Sequence, residues 1–195
     1  YRFISGTTYE VKLTIYRDCT SSTPFDGAPG ATTDAILGLF NSSNGLVTTY
    51  NLVNPVITNI DPPTDNPCLQ INSNICVQQG VYTTTITLPS STSAYTLAHV
   101  RCCRNGTINN VFLPGDQGAV YSAYIPPTNP FQNSNPVFNN FPPLFICVNA
   151  PLIFDHSASD IDGDVLRYSL CTPSNGGTAQ DPAPNPPPAP PYNPI

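Results

Sequence analysis

The run Asp155-His-Ser-Ala-Ser-Asp160-Ile-Asp162-Gly-Asp164 is the densest set of groups able to do chemistry. Asp160, Asp162 and Asp164 alternate, and Gly163 permits a sharp turn, so several carboxylate oxygens can converge on one centre. Four like charges within ten residues repel unless something neutralises them. Calcium, a hard ion taking about six to eight oxygens, is the natural counter-ion. The loop is not an EF-hand, because the position of the closing bidentate Glu lacks one. The alternative is a solvated turn whose aspartates cap local amides. Calcium held by Asp155, Asp160, Asp162 and Asp164 is the expectation.

Seven cysteines are the second reactive set: Cys19, Cys68, Cys76, Cys102, Cys103, Cys147 and Cys171. In a chain this polar they point to disulfides and an oxidising compartment. Neighbours on a strand face opposite ways, so Cys102 and Cys103 are expected to bridge to two different partners rather than to each other. Cys68 with Cys76 could close a short loop, and Cys147 with Cys171 could staple two strands. Spacing does not fix connectivity, and the odd count leaves one thiol over. Zinc is disfavoured, since His99, Cys102 and Cys103 lack paired Cys-x-x-Cys spacing. A catalytic thiol needs a positioned base, and the two histidines are His99, inside a strand-like run, and His156. The sequence has no nucleophile elbow, metalloprotease helix or phosphate loop, and it reads as non-enzymatic.

The elements that position these groups are strands. Twenty-four prolines, 12 glycines, no Met and few Glu or Lys disfavour helices. Thr8–Tyr16 alternates, with Tyr9, Val11, Leu13 and Ile15 on one face and Glu10, Lys12 and Thr14 on the other. Further strands are expected at Val81–Leu88, Tyr95–Cys103 and Ala119–Ile125, with weaker ones at Ile36–Phe40, Leu46–Leu52 and Val56–Ile60. This spacing predicts an all-β, immunoglobulin-like sandwich over residues 1–127. A Pro/Asn-rich linker follows over 128–143. Phe145–Val148, Leu152–Phe154 and Val165–Cys171 then read as opening strands of a partial second cadherin- or PKD-like domain over 144–180. Eight prolines in residues 181–195 suggest an extended polyproline II spacer.

Only 9% of residues are charged, with a net charge of −6 and one lysine, Lys12. Nucleic-acid partners need clustered Lys and Arg and are excluded, and no apolar run is long enough to cross a bilayer as a helix. No signal peptide is visible, so the chain is expected to be a mature or truncated portion of a longer secreted protein.

Several blocks carry a resemblance. Ile4-Ser-Gly-Thr-Thr-Tyr-Glu-Val-Lys-Leu-Thr-Ile-Tyr-Arg-Asp-Cys19, Cys76-Val-Gln-Gln-Gly-Val-Tyr-Thr-Thr-Thr-Ile-Thr-Leu-Pro89, Arg101-Cys-Cys-Arg-Asn105 and Asn133-Ser-Asn-Pro-Val-Phe-Asn-Asn-Phe-Pro-Pro143 resemble large secreted proteins of Bacteroidota, of the gliding-motility-associated or type IX secretion kind. The block Cys147–Cys171 also resembles the Asp-x-Asp-Gly-Asp openings of cadherin-like and PKD repeats, in which such aspartates often bind calcium. The resemblance implies export, display at the cell surface and a β-rich architecture. The expected function is that of an extracellular structural or adhesive protein, a candidate fibre subunit, whose partners are copies of itself or other surface proteins. The alternative is a carbohydrate-binding module of a larger secreted hydrolase, with surface glycans as ligands and Tyr in place of the absent Trp.

Overall fold

Strand β2 (Thr8–Asp18) shows how the sequence builds the fold. Its alternation buries Tyr9, Val11 and Leu13 and leaves Glu10, Lys12, Thr14 and Tyr16 on the opposite face. The computed structural model describes residues 1–60, 76–144, 146 and 149–195. Around β2 lie β1 (Arg2–Ser5), β3 (Ala35–Asn41), β4 (Leu46–Leu52), β5 (Val56–Ile60), β6 (Val77–Thr87), β7 (Tyr95–Arg101) and β8 (Ala119–Ile125). They form two antiparallel four-stranded sheets, ordered β1-β2-β6-β5 and β4-β3-β7-β8. A two-stranded ribbon of β9 (Val137–Phe138) and β10 (Ala158–Ser159) lies outside them.

The sheets close over one apolar core. Tyr9, Leu13, Tyr82 and Ile86 from the first sheet meet Leu37, Leu39, Leu97 and Ile125 from the second. Burying each such side chain contributes roughly 1.5–3 kcal/mol. The chain is therefore an all-β sandwich, as its alternating runs predict. The expected strands at 46–52, 56–60 and 119–125 coincide with β4, β5 and β8. Strand β1 was not expected; it is too short to show a period.

One end of the sandwich is plugged by the loop between β2 and β3. Asp26 is buried there, its carboxylate paired with Arg101 at 2.7 Å and accepting the Thr33 hydroxyl. The buried Tyr82 hydroxyl donates to the Asp26 carbonyl at 2.7 Å. The Arg17 guanidinium lies 4.6 Å from the centre of the Phe25 ring, which packs where Gly80 has no side chain.

Strand β3 is buried on both faces. Ala35, Leu37 and Leu39 join the core, whereas Ile36, Gly38 and Phe40 face the other way and are also covered. The cover is the C-terminal segment. Gly176 lies against Val100 and Val120, the buried Pro187 against Gly38, and the Cys102 amide donates to the Pro182 carbonyl at 2.9 Å. Sequence reading makes 181–195 a spacer. Here it folds back instead, because a face of Gly, Ala and Val is flat enough to receive it.

The expected strands at 152–154 and 165–171 do not form. Ile153, Val165 and Leu170 are 94%, 91% and 104% exposed. A strand needs a ladder partner for its amides, and these runs find none among the described residues. Of the expected strand at Phe145–Val148, only Ile146 lies within the described residues, exposed and outside any strand.

Candidate functional site

The outward face of β2 is roofed by residues 134–142 and 154–161, and an open cleft of about 1510 Å³ lies between them. The roof is fixed at both ends by polar contacts. At its start, the buried Ser134 hydroxyl accepts the Phe3 amide at 3.2 Å, and the Asn135 amide donates to the Tyr1 carbonyl at 2.8 Å. At its far side, the β9–β10 ribbon is stitched by Asn139, whose amide donates to the Ser157 carbonyl at 2.9 Å and whose side chain accepts the Ser159 hydroxyl at 2.7 Å. The Pro and Asn content of this stretch suits such a path, since its polar groups are met by side chains rather than by a ladder.

Aromatic groups dominate the cleft. Tyr16 and Phe141 face each other with ring centres 5.2 Å apart, and Phe154 meets His156 edge-on at 4.5 Å. Phe138 and Ile161 add apolar surface, and both are exposed. Burial pushes the Tyr16 hydroxyl above its ordinary titration range. The sheet wall is charged, with Glu10 3.4 Å from Arg2 and 3.7 Å from Lys12, and Asp160 lies on the roof opposite. Such exposed pairs contribute little energy. They do place hydrogen-bonding groups of both signs beside the aromatic rings.

The aspartates expected to hold calcium lie along the roof, and the carboxylates of Asp155, Asp160 and Asp162 have local partners. Asp155 accepts the Ser157 amide at 2.8 Å, the Ser157 hydroxyl at 3.0 Å and the Asn140 side-chain amide at 3.0 Å. The Ser157 bonds hold its carboxyl below the usual range. Asp160 accepts the amides of Asp162 and Asp164 at 2.8 and 3.3 Å around Gly163, whose φ of 81° only glycine adopts freely. Asp162 accepts the Ser134 amide and so ties the end of the roof to its start, where the Ser134 hydroxyl accepts the Phe3 amide. Among the described residues, no three His, Cys, Asp or Glu side chains converge as a metal-holding group.

The cysteines depart from expectation in two places. Cys102 and Cys103 are bridged to each other, with Cα atoms 3.0 Å apart across a cis peptide bond. Expecting two separate partners assumed strand alternation through both, but β7 ends at Arg101, so the alternation does not reach them. Cys76 pairs with Cys19, not with Cys68. The reason is register: β2 and β6 run antiparallel with Asp18 opposite Val77, which sets residues 19 and 76 across from each other at a Cα separation of 5.5 Å. Cys171 is free and exposed. Cys68 and Cys147 lie outside the described residues.

His99 is 3% exposed, with Nδ1 2.9 Å from the Ile36 carbonyl oxygen and its ring stacked on Tyr121. Burial drives its pKa below the ordinary value. It is a packed, hydrogen-bonded histidine and has no access to the cleft. Sequence reading missed the Tyr16–Phe141 pair, because β2 and residue 141 are distant in the chain. It also missed the Asp26–Arg101 plug, since neither residue belongs to a charge cluster.

Geometry and bridges together define a class: a disulfide-bonded, all-β sandwich with an aromatic cleft roofed by an irregular segment. No protein-family model, curated protein or solved structure matches this chain.

Proposed function

We propose that the chain is a non-enzymatic extracellular module, structural or adhesive, of a cell-surface protein of the gliding-motility or type IX secretion kind. The carrying observation is the cleft itself, wide, open and walled by aromatic rings on a rigid sheet. Exposed apolar patches of this kind are where soluble proteins meet partners. Low charge and disulfides suit a durable module outside the cell. Immunogold electron microscopy of cells of the source organism tests the location. Label at the surface or on shed fibres is expected, and label confined to the cell interior overturns the reading.

A second reading has one observation of its own. Tyr16 and Phe141 lie beside Asn139 and Asn140, a pairing of ring faces and amide groups that suits a sugar. On this reading the chain is the carbohydrate-binding module of a larger hydrolase. Glycan-array binding that disappears in the double variant Y16A/F141A supports it. An array without hits, or hits unchanged in that variant, rejects it.

A further inference from the structure

The C-terminal segment is a closed lobe. Its ends pair through the bridge Ser174↔Pro194, with the Asn175 amide donating to the Asn193 carbonyl at 2.7 Å and the Ile195 amide to the Pro173 carbonyl at 3.0 Å. It docks as a unit on the outer face of the second sheet. Gly118 donates its amide to the Asn175 side chain at 2.9 Å, and there the backbones meet so closely that a Cβ on Gly118 would fall 1.3 Å from the Gly176 carbonyl oxygen. A Cβ on Gly176 would fall 2.5 Å from Val120. No residue of the lobe belongs to the core cluster between the sheets. The lobe therefore rests on the sandwich from outside.

The run that joins lobe to sandwich, 165–172, is the contrasting part. It has neither strand nor helix, Val165 and Leu170 are fully solvated, and its Tyr168 hydroxyl accepts the Ala158 amide at 3.0 Å. Its sequence alternates as a strand does, yet its backbone is unpaired among the described residues. Eight extended residues span about 27 Å, more than the thickness of two packed sheets.

We propose that the lobe is exchanged between copies: residues 173–195 of one chain dock on the β3–β7–β8 face of a second copy, and the reverse. Exchange remakes each docking contact, because the second copy presents the same face, so it costs little. It adds something the monomer lacks. In a two-fold exchange the two connecting runs pass one another antiparallel, and the identical Val165–Cys171 segments can supply each other's missing ladder. That gain selects a second copy as the occupant rather than an unrelated protein. An exchange that does not close gives an open chain of copies instead of a dimer. The cleft takes no part, so loss of ligand binding and loss of exchange are read separately.

The test uses the full chain with its disulfides intact, taken through mild denaturant at high concentration and analysed by size-exclusion chromatography with light scattering. The wild type is expected to yield a species of twice the monomer's 20.9 kDa, or higher multiples. G118V spoils the docking face and G176V spoils the lobe, so each alone is expected to stay monomeric. An equimolar mixture of the two regains the dimer, because the sound lobe of G118V meets the sound face of G176V. Circular dichroism checks that each variant keeps its sheets, and G177V replaces G176V if that one does not. A wild type that remains monomeric, single variants that dimerise as well as the wild type, or a mixture that stays monomeric each overturns the exchange.

Discussion

Removing Asp26 isolates the energetics of the plug at the end of the sandwich. Arg101 approaches it with two nitrogens, Nε at 2.7 Å and Nη2 at 2.9 Å, in the forked geometry that makes Arg–carboxylate pairs strong. The side chains are 8% exposed for Asp26 and 23% for Arg101, so water reaches the guanidinium only in part. Stranding one charge of a buried pair costs about 3–5 kcal/mol, and the partial exposure of Arg101 brings D26A to roughly 2–4 kcal/mol. D26A keeps the Tyr82 hydrogen bond, which goes to the backbone carbonyl, so the loss reports the carboxylate alone. R101M strands the less exposed partner and costs at least as much. The double variant D26A/R101M removes both charges and is milder than the sum by about 2 kcal/mol. Urea unfolding followed by tyrosine fluorescence, with the bridges kept oxidised, measures all four corners of the cycle at pH 7. For a chain of this size D26A should lower the melting temperature by roughly 5–15 °C. Additive single losses, with no coupling, would refute the claim that these groups act as a buried pair.

Three further outcomes follow from the same structure. His99 is buried neutral and its folded pKa lies below its unfolded value, so its contribution is complete above about pH 6.5 and is lost as pH falls toward the folded value, with a limiting slope near 1.4 kcal/mol per pH unit; a wild-type stability no more acid-sensitive than H99Q between about pH 5 and 6.5 would contradict this. The Cys19–Cys76 bridge closes a separation of 57 residues, and the chain-entropy relation gives about 4 kcal/mol for it, so C19A/C76A should unfold at markedly lower urea; an unchanged midpoint sinks the estimate. The calcium proposal for Asp155, Asp160, Asp162 and Asp164 requires excess calcium to raise the melting temperature over chelator by mass action, and equal melting temperatures remove it.

The sandwich was legible because its longest runs alternate and bury one face, as in β2, while turn signals separate the shorter ones. Tyr9, Val11 and Leu13 against Glu10, Lys12 and Thr14 is a pattern that no helix reproduces. What could not be read was set by register. The Cys19–Cys76 pairing follows from β2 lying against β6 with Asp18 opposite Val77, a long-range fact that no spacing rule contains. The vicinal bridge is hidden for a related reason: strand alternation stops at the end of β7, before 102 and 103. The cleft was hidden because its facing rings, Tyr16 and Phe141, come from a strand and from an aperiodic Asn/Pro stretch.

The two stretches most misread from sequence are linked physically. Proline content made 181–195 look like a spacer, yet proline also presets a chain to lie flat on a smooth surface at small entropic cost. Gly38, Ala98 and Gly118 keep this surface low enough for backbone to meet backbone. Alternation made Val165–Cys171 look like a strand, yet alternation specifies only which side chains share a face and never supplies the ladder partner. The result is a docked lobe on an unpaired, apolar tether. A strand-forming tether that finds no ladder among the described residues, carrying a lobe that contributes nothing to the core, is the arrangement in which a second copy satisfies what the first leaves open.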